Sequence, residues 1–184
     1  MTGTKRICVF CGSSLGVSDG YAEAARDMGR ALVRRGLGLV YGGESAGLMG
    51  VLADVVMTEG GEAIGVLPEA MLAREVGKPE LLDLTELRVV DSMHQRKQLM
   101  SDLSAGFVAL PGGMGTFEEL CEILTWAQLG IHSKPVGLVN SAGYYEPLLT
   151  LFDHAVTEGF IAPTHRMLLK SADTPDELLD DLGF

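Results

Sequence analysis

The chain has 184 residues, 47% hydrophobic and 21% charged, which suits one globular domain with a sizeable core. Fourteen Lys+Arg against 25 Asp+Glu give a formal net charge of −11, and no basic run could track a nucleic-acid backbone or an anionic membrane, so neither is expected as a partner. A small phosphate ligand is not excluded, because a few local cations and aligned backbone N–H groups can hold one inside an acidic protein.

The first predicted strand covers 5–11 (KRICVFC). It carries two of three cysteines, Cys8 and Cys11, and the third is Cys121; an odd count with no second Cys pair or His cluster points to packing positions on a strand rather than a disulfide or zinc pair. No leader-like segment precedes this strand, and no apolar run approaches the ~20 residues that cross a bilayer, so the expected compartment is the cytoplasm. A glycine-bearing loop, Cys11-Gly-Ser-Ser-Leu-Gly16, follows, and Ser18-Asp19 caps a helix over 21–35 that Gly36 closes. The second strand, 38–41 (GLVY), runs into Tyr41-Gly-Gly-Glu-Ser-Ala-Gly-Leu-Met-Gly50 and a helix over 48–59 closed by Gly60-Gly61. Strands at 62–67 and 86–90 come next, then a helix over 93–103 that opens Met93-His-Gln-Arg-Lys97.

The fifth strand, 107–110, leads into Pro111-Gly-Gly-Met-Gly-Thr116 and a helix over 116–129 closed by Gly130. A strand at 135–140, a helix over 145–158, a short strand at 167–170 and a helix over 174–182 complete the pattern. Continuous apolar strands alternating with helices of this length predict right-handed βαβ units, hence a Rossmann-like, doubly wound α/β parallel sheet flanked by helices, one domain over 1–184. In such a sheet, ligands sit beyond the carboxyl ends of the strands where the strand order reverses, and the three glycine-rich loops all follow strands. Neither the G-x-G-x-x-G nor the G-x-x-x-x-G-K-[ST] pattern is present.

Gly112, Gly113 and Gly115 can adopt φ > 0 and lack a Cβ, so this loop can turn its amides inward while the helix after it aims its first N–H groups and its dipole at the same place. A phosphate is the expected occupant, against a bare strand-to-helix turn. Glu119 has two readings. Thr116-x-x-Glu119 fits a capping box, and a carboxylate one turn past a bound phosphate can also face the sugar of a nucleotide. Glu118 points about 100° away and could serve another part of the ligand. Arg96 and Lys97 either meet a phosphate or carboxylate in the cleft or form a solvated face. His94, with no second His at ligand spacing, reads as a surface or supporting residue.

Taken together, Tyr41-Gly-Gly-x-x-x-Gly-Leu-Met-Gly50, Met93-His-x-Arg-Lys97, Pro111-Gly-Gly-x-Gly-Thr-x-x-Glu119 and Trp126-Ala-Gln-Leu-Gly-Ile-His132 closely resemble the LONELY GUY (LOG) family, from about Ile7 to Leu149. That family is known as cytokinin riboside 5′-monophosphate phosphoribohydrolases and often carries an older "lysine decarboxylase" label, for which the motifs offer no evident pyridoxal-phosphate lysine. The resemblance implies hydrolysis of the N-glycosidic bond of a purine nucleoside 5′-monophosphate, typically N6-prenylated, without metal or cofactor. It implies Glu119 and Arg96 as the catalytic pair. It also implies that Gly112, Gly113, Met114, Gly115, Thr116 and Phe117 form the phosphate and substrate loop, and that Lys97, Glu118, Glu75 and Thr125 line the substrate site. Family members of this length form dimers, and the apolar residues Leu120, Cys121, Ile123, Leu124, Trp126, Ala127 and Leu129 exceed one core-facing stripe, which is consistent with a second buried face. Glu44 stands where the family usually has a third glycine, which puts substrate preference in question. Two other readings stay open: a non-catalytic nucleotide or cofactor carrier of the same superfamily, and a nucleosidase for another 5′-monophosphate such as AMP.

Overall fold

The computed structural model describes residues 4–75 and 84–184, without the side chains of 73–75. One seven-stranded sheet spans the molecule. Strand β1 (Arg6–Phe10) is followed by α1 (Asp19–Arg34), β2 (Gly38–Tyr41), α2 (Gly47–Thr58), β3 (Ala63–Pro68), α3 (Glu69–Glu75) and β4 (Glu86–Val90). Helix α4 (Met93–Leu103) then leads to β5 (Gly106–Ala109), α5 (Met114–Gln128), β6 (Val136–Val139), a 3₁₀ turn (Ser141–Gly143), α6 (Glu146–Thr157), α7 (Pro163–Arg166), β7 (Leu169–Ala172) and α8 (Pro175–Leu182).

The strand order is β4-β3-β2-β1-β5-β6-β7, and every pairing is parallel. The chain winds outward from β1 to β4, crosses back through α4, and winds the other way from β5. The order therefore reverses between β1 and β5, where Cys8 lies opposite Phe107 and Phe10 opposite Ala109. Two core clusters match the two faces. Ile7, Val9 and Cys11 point to the layer of α1, α2 and α8, while Cys8 and Phe10 point to the layer of α4, α5 and α6. This alternation explains why strands buried on both faces read as unbroken apolar runs, and it separates Cys8 and Cys11, both free and buried, into opposite layers.

Helix starts follow local chemistry. Ser18 and Ser92 accept from the amides of Gly20 and Gln95, capping α1 and α4, and Thr174 does the same for α8 through Glu177. Helices α3 and α7 have no counterpart in the sequence reading, because each is a single short stretch without two turns of periodicity.

Candidate active site

Three loop ends meet at the switch point and are stitched by main-chain hydrogen bonds. The Gly12 amide donates to the Pro111 carbonyl at 3.0 Å, and the Gly12 carbonyl accepts from the Leu48 amide at 3.0 Å. Gly47, at φ +60°, makes the crossing of the β2–α2 loop over the β1–α1 loop feasible, since a Cβ there would collide with the Ser13 main chain. Beyond these loops lies a solvent-open cleft of about 200 Å³. Its walls come from the end of β1, the β2–α2 loop, α4 and the start of α5.

Helix α5 begins at Met114 with Gly113 as its N-cap, and its first intrahelical bond runs from the Phe117 amide to the Gly113 carbonyl at 3.1 Å. The amides of the preceding residues are orphan donors of a helix N-terminus. Gly113, Met114, Gly115 and Thr116 all line the cleft. Two expectations are corrected here. None of Gly112, Gly113 and Gly115 has a positive φ. Gly112 is needed because a Cβ would collide with the Thr116 hydroxyl, whereas Cβ atoms on Gly113 and Gly115 would point into open space. The capping box is absent as well. Because the helix starts two residues before Thr116, Glu119 lies in its second turn and accepts no hydrogen bond from the described residues.

Glu119 is 9% exposed and faces the cleft. Burial pushes its carboxyl up to about 7; Arg96 and Lys97 pull the other way, and Glu118 and Glu44 add to the rise. Arg96 is 6% exposed, which excludes the solvated-face reading. Its Nε donates to the Val66 carbonyl at 3.0 Å and its Nη2 to the Gly42 carbonyl at 2.9 Å, so it bridges the carboxyl ends of β3 and β2. These two bonds use two of five guanidinium N–H groups. Its nearest carboxylate is Glu44, with Nη2 and Oε1 3.9 Å apart; no direct ion pair joins Arg96 and Glu119.

Lys97 turns away from Arg96, as adjacent helical residues must. Its Nζ contacts Glu118 Oε1 at 2.5 Å and Glu122 Oε1 at 2.9 Å. Burial works against the ammonium, but the two carboxylates outweigh it and its pKa is raised. Glu122 was not singled out in the sequence, although its spacing of four from Glu118 places both carboxylates on one helix face toward Lys97.

Other expected site residues are placed as follows. Glu118 borders the cleft, while Gly112 borders a neighbouring hollow shared with Gly12, Ser13 and Gly113. Phe117 is turned from the cleft and packs against Tyr144 and Tyr145. Thr125 donates to the Cys121 carbonyl and borders a separate hollow between α5, α6 and α7. Glu75 ends α3, and its side chain lies outside the described residues. Met49 and Met93, whose helical spacing equally suits a core, both line the cleft together with Cys11 and Ser13.

Residues 49–182 match the protein family described as "Possible lysine decarboxylase". The cytokinin riboside 5′-monophosphate phosphoribohydrolase LOG3 of Arabidopsis thaliana is 52% identical over 178 residues, covering 97% of this chain and 81% of that protein. The enzyme of the same name, LOG, from Oryza sativa subsp. japonica is 51% identical over 176 residues, covering 95% and 71%. The chain belongs to the LOG family. Among solved structures, the molybdenum cofactor carrier protein MCP from Chlamydomonas reinhardtii superposes with a TM-score of 0.72 at 21% identity, covering 98% of both chains. The molybdenum cofactor binding protein from Rippkaea orientalis gives 0.71 at 20% identity, covering 98% of this chain and 96% of that one. At that identity these two speak for the Rossmann-like fold of the LOG chain and nothing further.

Proposed function

We propose that this LOG-family chain hydrolyses the N-glycosidic bond of purine nucleoside 5′-monophosphates, N6-prenylated adenosine monophosphates foremost, releasing the free base and ribose 5-phosphate. The observation that carries this reading is a buried carboxyl group, Glu119, with its pKa raised to about 7 and without a hydrogen-bond donor among the described residues, one turn beyond a set of orphan helix amides. The relatives named above act on cytokinin riboside 5′-monophosphates, and half-identity over nearly the whole chain supports the same substrate class here.

The 5′-phosphate sits against the amides of Gly113, Met114, Gly115 and Thr116, where the helix dipole favours an anion. Fixing the phosphate there sets the distance from the loop to the sugar, and that remote binding energy is available in the transition state. As the C1′–N9 bond breaks, its electron pair leaves with the purine and positive charge grows on C1′ and the ring oxygen. The Glu119 carboxylate stabilises that charge and takes a proton from the water that adds to C1′, while the purine takes up a proton. Arg96 stays protonated; clamped between two carbonyls, it positions the site and stabilises charge rather than acting as an acid. Lys97 is held charged by Glu118 and Glu122, the opposite of what a Schiff-base lysine requires, which weighs against the decarboxylase description.

The whole chain, 1–184, acts as one catalytic unit and pairs with a second copy. No helix among the described residues is long and apolar enough to cross a membrane, and three free cysteines suit a reducing compartment, which supports the cytoplasm.

The test is release of free base from isopentenyladenosine 5′-monophosphate, AMP and the unphosphorylated nucleoside, by wild type and by Glu119→Gln. The expected result is fast release from a monophosphate, little from the nucleoside, and a loss of about 10²–10⁴-fold in the variant. Equal rates for wild type and variant, or equal rates with and without the phosphate, overturn the reading.

A further inference from the structure

Glu44 sits between Gly43 and Ser45 in the β2–α2 loop, and its side chain is 19% exposed. It lines the same cleft as Glu119 and Arg96. Among the described residues its carboxylate accepts no hydrogen bond, and the one cationic group within 4 Å is Arg96 Nη2, at 3.9 Å, beyond hydrogen-bonding distance. The loop does not swing freely, because Gly43, at φ +77°, is packed against the Val66 main chain and the Gly42 carbonyl is held by Arg96. The cleft thus contains two largely buried carboxylates, Glu44 and Glu119, and among the described residues neither accepts a hydrogen bond. Largely buried carboxylate oxygens normally have donors, so these two are matched by donors on the ligand.

A nucleoside 5′-monophosphate carries few donors: the 2′- and 3′-hydroxyls and the exocyclic N6–H. Its phosphate is repelled by a carboxylate and is drawn instead to the α5 N-terminus. Glu119 fixes the position of C1′, and Glu44 approaches the same guanidinium that braces the Glu119 side of the cleft, close enough for its charge to act on Glu119. The donor on the carbon next to C1′ is the 2′-hydroxyl, while N6 lies at the far end of the purine. We propose that Glu44 is a specificity-determining residue whose carboxylate accepts a hydrogen bond from the ribose 2′-hydroxyl, so that the enzyme selects ribonucleotides over 2′-deoxyribonucleotides. The proposal rests on the hydrolase reading above. Its chemistry is the familiar one of glycoside hydrolysis: as positive charge develops at C1′, the adjacent hydroxyl becomes a stronger donor, and a carboxylate bonded to it gains most in the transition state. The selectivity therefore appears in kcat more than in KM.

The experiment compares kcat and KM for AMP and 2′-deoxyAMP in wild type, Glu44→Gln and Glu44→Gly. A site that bonds a substrate hydroxyl discriminates strongly against its absence. Removing the carboxylate is expected to shrink the AMP to 2′-deoxyAMP ratio of kcat/KM by about tenfold or more, through a lower kcat on AMP and with little change on 2′-deoxyAMP. Comparing ratios across variants cancels the greater intrinsic lability of deoxynucleosides. An unchanged ratio, or an equal loss on both substrates, overturns the proposal. If wild type releases no base from any monophosphate, the hydrolase reading fails by itself. Calorimetric binding of ribose 5-phosphate and 2-deoxyribose 5-phosphate then decides: a preference for ribose that Glu44→Gln abolishes sustains the contact, and one that survives in the variant, or is absent in wild type, refutes it.

Discussion

At Glu119 the same burial sets the response of both activity and stability to pH. With its carboxyl near 7 and its ionised form doing the work, kcat/KM should rise with slope one below pH 7 and level off above it. This limb is separable from the second ionisation of the substrate phosphate, near 6. A rate that instead falls through pH 7 assigns Glu119 the proton-donating role and overturns the base assignment. The stability effect has the reverse sign from that of a salt-bridged carboxylate. Because the folded pKa is raised from 4.5 to about 7, the native state holds a proton that the unfolded chain has lost, and stability is lost as pH rises through that window. A shift of that size is worth about 3 kcal/mol. Chemical denaturation of wild type and Glu119→Gln should therefore agree most closely near pH 4.5, with the variant gaining up to about 3 kcal/mol relative to wild type by pH 8. A constant difference across that range contradicts the buried, donor-free description. Such a trade of stability for function is common at active sites.

At the scale of the loop and helix, the glycines of the α5 entry separate into two kinds. Gly112 and Gly47 are packing requirements, since a Cβ on either collides with a neighbour, so Gly47→Ala, strained also by φ +60°, should cost about 2 kcal/mol or more in unfolding free energy. Gly113→Ala meets nothing within 4 Å and loses only the N-cap preference of Gly over Ala, so its stability should fall by about 1 kcal/mol or less while KM for the monophosphate rises as the new methyl group enters the space proposed for the phosphate. A large loss of stability in Gly113→Ala, or an unaltered KM, argues against the cradle. The same elements show why some features could be read in the sequence. Parallel strands buried on both faces announce themselves as apolar runs, and Ser92 announces α4. The three-glycine cluster marks a loop that opens onto the cleft, but openness and one close approach, not left-handed backbone, explain its glycines. Arg96 could not be placed from the sequence because its burial depends on the Gly42 and Val66 carbonyls, 54 and 30 residues away. Thr125 and Phe117 share a helix with Glu119 but face other directions, and only the packing of α5 against α6 and the Tyr144–Tyr145 pair fixes which.

For the whole molecule, several large apolar side chains at the end of α5, in α6 and in the segments that follow them stand in solvent. Leu129, Ile131, Leu151 and Met167 are all more than half exposed, and Phe160, in the turn after α6, is 87% exposed. Apolar side chains exposed together on one side of a molecule mark an interaction surface. Thr125 borders the hollow between α5, α6 and α7 rather than the cleft of its own chain, so any contact it makes with substrate requires a second copy docked here. The helix that carries Glu119 on one face would then carry the subunit contact on the other, which would account for an α5 more apolar than one core stripe requires. Light scattering at micromolar concentration should give about twice 19.6 kDa. Phe160→Asp removes an exposed ring with no role in the monomer core, so it should leave the folded monomer intact and shift the mass toward 19.6 kDa. If the site needs the partner, base release by this variant should fall with dilution as the dimer dissociates, with Glu119 untouched. A wild-type mass of 19.6 kDa with full activity would mean that the cleft works alone and that the apolar surface has another purpose.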